Sequence, residues 1–378
     1  MLIAQLLNLL YNIVDRIYIG KIPGEGTLAL ASIGLCFPFV TLITAFANLF
    51  GLGGAPLCAM ARGKGNREGA QGIMVNAGFM LLLSGAVLTV LGIAFHRPLL
   101  YLFGASEVTY PYASSYIVIY LIGTLCVMLS LGLNPYINCQ GFARTGMLTV
   151  ALGAAANIVL DPIFIFALHL GVRGAAIATV LSQFLSAAWV VKFLTSKKAE
   201  LKLDFRGFRP DCQCIQRITV LGIASFVMSF TDTLVQVACN ATLRNFGGDL
   251  YISVMTVLNS VRQIAQTPVL AIADGASTAI SYNYGAGLYK RTRDAIRFMT
   301  QIAIGYTMLV WMLVSLFPAL FIRIFNQDAE LVAAAVPALH IYFFGFVMMA
   351  FQYAGQSTFR ALVRGAGTDR YAFHRRLF

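Results

Sequence analysis

Two carboxylates stand where a carboxylate is expensive to keep. Asp15 lies in YNIVDRIYIG and Asp161 in NIVLDPIFIF, stretches apolar enough to read as membrane spans, and an ionisable side chain at that depth marks a functional site by default. Asn157 precedes Asp161 by four residues, so on a helix the two project from one face about one turn apart. Pro162 follows directly; it cannot donate to the carbonyl of Ile158, which frees a backbone oxygen beside the pair and is expected to bend the helix. Asp15 and Asp161 each lie about fourteen residues into an outward-running span, and Thr179 about five into the inward-running span that follows. All three then share roughly one height in the outer half of the membrane. Carboxylate, amide, hydroxyl and freed carbonyl are all oxygen ligands, suited to a hard cation such as Na⁺ or to a shared proton. Two carboxylates close together in low dielectric cannot both stay ionised cheaply, so one should hold a proton or the pair a cation. A purely structural account pairs Asp15 with Arg16 and lets Asp161 cap a kink, but neighbours on a helix point about 100° apart, which weakens that pairing.

The elements that must position these groups follow from composition. With 59% hydrophobic residues, 11% charged residues and a mean hydropathy of +0.78 over 378 residues, the chain cannot cover itself with a water-soluble surface. It reads as an all-α polytopic membrane protein. Runs long enough to cross ~30 Å of hydrocarbon fall near 1–20, 31–54, 74–95, 114–135, 147–168, 174–194, 218–240, 252–273, 298–320 and 334–356, about ten transmembrane helices. If the N-terminus is cytoplasmic, 20 of the 27 Lys and Arg fall in inner loops, as basic residues in short loops do in the plasma membrane. The net charge of +12 is then mostly topology, and nucleic acid is not an expected partner. No basic region or cleavage site flanks the first apolar run, so it reads as a retained helix rather than a signal peptide. Of the seven cysteines, Cys212 and Cys214 are close in sequence; without a second pair or a nearby His they read as free thiols rather than a metal site.

Sliding the chain against itself by 222 residues exposes its organisation. GGAPLCAMARGKGNREGA (53–70) falls on GASTAISYNYGAGLYKRTRDA (275–295), and Gly53, Gly63 and Gly65 meet Gly275, Gly285 and Gly287. A four-residue insertion in the second copy then brings Arg67 onto Arg293. Copies an even number of spans apart keep their direction, so two parallel-repeat six-helix bundles are expected, with the transport path between them. The bundles are 1–195 and 218–378, joined by a basic cytoplasmic linker, 196–217. Partners for the fifth and sixth spans would occupy about 367–417 on that 222-residue repeat, while the chain ends at 378; the second bundle is expected to hold only spans 7–10, as in a truncated product.

Together, LYNIVDRIYIG (10–20), the GGA…ARGKGNREGA run, INCQGFARTG (137–146), NIVLDPIFI (157–165), GAAIATVLSQ (174–183) and SYNYGAG (281–287) resemble the multidrug and toxic compound extrusion (MATE) transporters, bacterial branch, over nearly the whole chain. The resemblance implies two six-helix bundles and a secondary active antiporter, needing no cofactor, that exports cationic amphiphilic drugs in exchange for H⁺ or Na⁺ by alternating access. It also implies a cation site in the first bundle, made by an Asp on the first helix, an Asn and an Asp four apart on the fifth and a Thr on the sixth. Those positions match Asp15, Asn157, Asp161 and Thr179. Some members place a Glu on helix seven and an Asp on helix ten; here the seventh span offers Asp232 and the tenth has no acid.

In the second bundle Asp232 and Arg262 share mid-depth, so an interhelical pair is the simplest way to avoid two uncompensated ions. A role for Asp232 in attracting a cationic substrate is the sharper alternative. Gln140, Gln183, Gln236, Gln263 and Gln266 could line a polar vestibule or bond helix to helix, and Asp274 is expected to meet headgroups or inner-loop basic residues. Twenty-eight Phe, 16 Tyr and 13 Met offer surface on which a lipophilic cation binds well. Two rival functions share this architecture: a lipid-linked oligosaccharide flippase, which calls for several cavity cations where only Arg262 stands at mid-depth, and an inactive truncated remnant. An intramembrane enzyme is disfavoured by the lack of HExxH, DDxxD-type or GxSxG motifs. The chain is expected to act as a monomer.

Overall fold

The computed structural model describes residues 14–15, 18–19, 22, 26–103, 105, 107–323 and 329–362, and side chains over the same residues except 26–28, 30–31, 232–234, 236–241, 243–253, 256 and 329–330. Among these, every regular element is helical: α1 Gly26–Gly63, α2 Arg67–Leu102, α3 Tyr110–Ile122, α4 Thr124–Cys139, α5 Ala143–Pro162, a π-helical turn Ile163–Ala167, α6 Gly171–Thr195, α7 Cys212–Gly285, α8 Tyr289–Leu316, α9 Pro318–Arg323, α10 Ala329–Phe343 and α11 Met348–Leu362. Among the described residues six helices are long and apolar enough to cross a membrane, and two further candidates are pairs, α3 with α4 and α10 with α11, bent by 55° and 46°. The sequence reads 114–135 and 334–356 as single unbroken spans; the structure bends both. At the first bend Val180 of α6 packs 2.5 Å from where a Cβ on Gly123 would stand, so only glycine lets the chain turn against α6 there. A second difference lies in α7, where the segment 241–251, expected as an outer connection between spans 218–240 and 252–273, keeps a helical backbone. It contains no proline, so every peptide N–H is available to the helical ladder. Most of the span expected at 1–20 lies outside the described residues.

Contacts divide the chain into two compact units, 6–229 and 230–378 with 1–5. In the first, α4 packs against α1, α2, α5 and α6. Tyr136 of α4 is fully buried and its hydroxyl donates to the carbonyl of Phe50 in α1 at 2.8 Å. One turn on, Cys139 Sγ lies 3.2 Å from Cys58 Sγ, both buried free thiols, a proximity that their 81-residue separation hides in the sequence. The segment after α6 docks on this unit's basic end. Arg62 reaches both the Cys139 carbonyl and the Glu200 carboxylate, Arg67 binds the Glu200 carbonyl, and the Leu201 N–H donates to Gln140 Oε1 at 2.9 Å. Leu201 and Leu203 of this strap are buried. In the second unit α10 packs on α8 and α9, and α11 on α8.

The loops at the two aligned segments share one backbone. Gly65 and Gly287 both adopt the left-handed conformation, at φ +76° and +75°, which glycine alone enters without strain. Around the first, N–H groups of 64, 65, 66 and 67 donate to carbonyls of 60, 62, 61 and 65; around the second, those of 286, 287, 288 and 289 donate to 282, 284, 283 and 287. Each pair differs by 222. The helices that follow start at Arg67 and Tyr289, also 222 apart, so the insertion expected from Arg67 and Arg293 is not there. What changed is chemistry, since Asn66 caps α2 through the Gly69 N–H at 2.8 Å while Leu288 offers α8 no side-chain cap.

Candidate functional site

All four residues expected to form a cation site belong to the first unit. Asn157 and Asp161 are buried on α5, and Asn157 Nδ2 donates to Asp161 Oδ1 at 3.1 Å, the same-face pairing that their spacing demands. Asp15, half-buried on a helical stretch with Val14, Tyr18 and Ile19, brings its carboxyl within hydrogen-bonding reach of Asp161. A contact between two carboxyls becomes a hydrogen bond only when one carries a proton; otherwise it is a repulsion that a cation must bridge. Asn157 Oδ1 and Asp161 Oδ2 are shut off from solvent with no donor among the described side chains and backbone. Buried acceptors of this kind are costly to leave unmatched, and a proton or a small hard cation matches them.

Thr179 is half-buried on α6, and none of the described hydrogen bonds joins it to the other three. Its depth follows from how α5 and α6 meet. Ser186 Oγ donates to the Thr149 carbonyl at 3.1 Å and crowds Gly153, and the antiparallel pairing counted outward from there sets Thr179 level with the turn between Asn157 and Asp161. At the outer end, Gly174 of α6 packs so closely that a Cβ would stand 2.5 Å from the Phe164 carbonyl oxygen. That contact sits on the π-helical turn after Pro162, where the Leu168 N–H skips to the Ile163 carbonyl at 2.9 Å. The bend expected from Pro162 is thus realised as a change of helix type. Sequence reasoning passed over Tyr18, whose ring meets Phe166 of the π turn edge-on at 6.3 Å and ties the Asp15 segment to α5. Its signal was available, an aromatic one turn beyond Asp15 in NIVDRIYIG.

The MatE family profile matches residues 1–163 and 224–367. The chain belongs to the MatE family. Its similarity extends to multidrug export protein MepA of Staphylococcus haemolyticus (strain JCSC1435), 25% identical over 342 residues that make up 90% of this chain and 75% of the relative. Among solved structures, a crystal structure of MATE in complex with MaD3S matches with a TM-score of 0.90 at 25% identity, over 97% of this chain and 81% of that one. An outward-facing multidrug resistance MATE family transporter of the MOP superfamily matches with a TM-score of 0.89 at 25% identity, over 96% and 80%. The family consists of multi-pass membrane transporters for multidrug efflux, not of enzymes.

Within this MatE chain the remaining polar candidates separate. The side chains of Asp232 and Gln236 lie outside the described residues. Arg262 sits 5.8 Å over the Tyr342 ring, whose hydroxyl donates to Asn259 Oδ1 at 2.7 Å, so the guanidinium has an aromatic face as a neighbour. Gln263 is exposed and Gln266 donates to the Tyr353 hydroxyl. Gln183 accepts from Ser130 Oγ at 2.6 Å, a bond between α6 and α4, and Gln140 accepts from the Leu201 N–H of the strap. Asp274 meets Arg360 of α11 at 3.5 Å. Cys212 is exposed and Cys214 half-buried, both free.

Proposed function

We propose that this chain is a secondary active antiporter that exports cationic amphiphilic drugs in exchange for H⁺ or Na⁺, with the coupling ion bound by Asp15, Asn157, Asp161 and Thr179. The observation that carries the proposal is the buried Asn157–Asp161 pair with the Asp15 carboxyl against it, in a MatE-family chain. The cation or proton is a substrate of the cycle, not a resident cofactor. Two helix bundles, expected at 1–195 and 218–378, rock against each other in the plasma membrane, with the N-terminus cytoplasmic and one chain as the working unit. Export against a gradient requires that ion occupancy favour the drug-releasing conformation, because a ligand shifts an equilibrium only by its differential affinity for the two states. Neutralising the Asp15–Asp161 pair removes the repulsion between the Asp15 segment and α5, so the closed packing of the two belongs to the ion-bound state.

Ethidium efflux from proteoliposomes under imposed Na⁺ or pH gradients tests this directly. Asp15→Asn and Asp161→Asn should each abolish gradient-driven efflux while the protein still inserts and purifies. Normal gradient-driven efflux by both variants would defeat the proposal, and the gradient that drives the unsubstituted chain identifies its ion.

A further inference from the structure

The outer wall of the first unit carries a groove of about 590 Å³ between α5 and α6. Leu152, Ala156 and Val159 form one side and Leu185, Trp189 and Lys192 the other, each set spaced at helical intervals along one face. Leu152, Val159 and Leu185 are 40%, 59% and 48% exposed. Both helices are candidate spans, so an apolar occupant is required by the medium itself. From Leu152 to Leu160, the limits of the groove on α5, is about 12 Å at 1.5 Å per residue, less than half of a ~30 Å hydrocarbon core. The groove therefore has the reach of one leaflet.

Its chemistry is not symmetric. Lys192 is the one charged lining residue and stands in the last turn of α6, at the end of the unit where Arg144, Lys197 and Lys198 are also exposed. The nearby acid, Glu200, is engaged by Arg62, which leaves Lys192 and its neighbours to set the charge of the rim. One turn inward, the Trp189 indole N–H is buried with no acceptor among the described residues. An apolar trough one leaflet long, a donor just below its mouth and a basic rim match an acyl chain, ester oxygens and an anionic phosphate, in that order. A cationic amphiphile meets the wrong charge at the rim.

We propose that this groove is a binding site for an anionic phospholipid, separate from the cation site and independent of the drug-export reading. The chain has only two tryptophans, so Trp311→Phe leaves Trp189 as a reporter in the groove. The full chain carrying that substitution is reconstituted in phosphatidylcholine bilayers with increasing fractions of acyl-brominated phosphatidylglycerol, or of acyl-brominated phosphatidylcholine. Brominated phosphatidylglycerol should quench Trp189 at about fivefold lower mole fraction, the preference one lysine at an anionic lipid surface supplies. Lys192→Gln should remove that preference and Lys192→Arg should keep it, which separates a lipid contact from misfolding. Equal quenching by the two lipids, or a preference unchanged in Lys192→Gln, would overturn the assignment. So would efficient disulfide cross-linking between Leu185→Cys copies in the bilayer, which would give the groove to a second copy of the chain.

Discussion

At the scale of single residues, the site depends on a hydrogen bond that its sequence spacing made legible. Asn157 and Asp161 are four apart, and four residues on a helix is a neighbour relation; the 3.1 Å bond between them is its outcome. Asn157→Ala should leave Asp161 Oδ1 without its donor. The cost of an unmatched buried acceptor is about 1–3 kcal/mol, so the purified variant should melt at a lower temperature, and its efflux should lose coupling to the gradient. An unchanged melting temperature would mean that another group supplies the donor. Thr179 was legible only as a depth, because its neighbours across α5 depend on which face of α6 turns inward. The contact of Tyr18 with Phe166 was not legible, since it depends on the π turn that brings Phe166 round.

Elements hold these groups at their heights, and their least legible features come from neighbouring backbones. Pro162 announces a disturbance in α5 but not its kind. At the π turn Gly174 comes so close that a Cβ would meet the Phe164 carbonyl at 2.5 Å. Gly174→Ala should force α6 away from that turn at a cost of about 1–3 kcal/mol, the usual range for overpacking, and should reduce efflux by shifting Thr179 relative to Asp161. Gly305→Ala, on an exposed helical face with nothing within 4 Å, serves as the control and should be neutral or slightly stabilising. The loops at Gly65 and Gly287 test the repeat in the same way. Alanine at either must adopt a left-handed backbone, costing about 1–2 kcal/mol, and the two substitutions should lower thermal stability by similar amounts; a marked inequality would mean that the shared hydrogen-bond pattern does not carry equal strain. Here the glycines were a better guide than the charges. Arg67 and Arg293 suggested an insertion because side chains at a solvated helix start can drift, while a positive φ tolerates little but glycine.

For the molecule as a whole, composition was enough for the membrane class and the all-helical fold, because 11% charged residues leave no other solvent for the surface. The distribution of Lys and Arg added an orientation, which a labelling experiment can check. Cys212 is exposed, whereas Cys36, Cys58 and Cys139 are buried. A membrane-impermeant maleimide should therefore label Cys212 readily in inverted membrane vesicles and hardly at all in intact cells, and the reverse pattern would turn the chain over in the bilayer. The docking of the 196–211 strap on the first unit was hidden, because its partners Arg62, Asn76 and Gln140 are far away in sequence and a linker rich in Lys and Arg reads as solvated.

That strap also sets a clock on synthesis. Arg62 and Glu200 are 138 residues apart, and at the usual pace of about 5–20 residues per second the ribosome makes the second partner on the order of ten seconds after the first. During that interval Arg62 can reach the Cys139 carbonyl once α4 is in place, while Arg67 still lacks its partner in the strap. The lobe is latched only when the sixth span has been inserted and the chain behind it has left the ribosome, so a nascent chain stalled just before residue 200 would hold all four site residues while lacking the Glu200 clasp on their lobe.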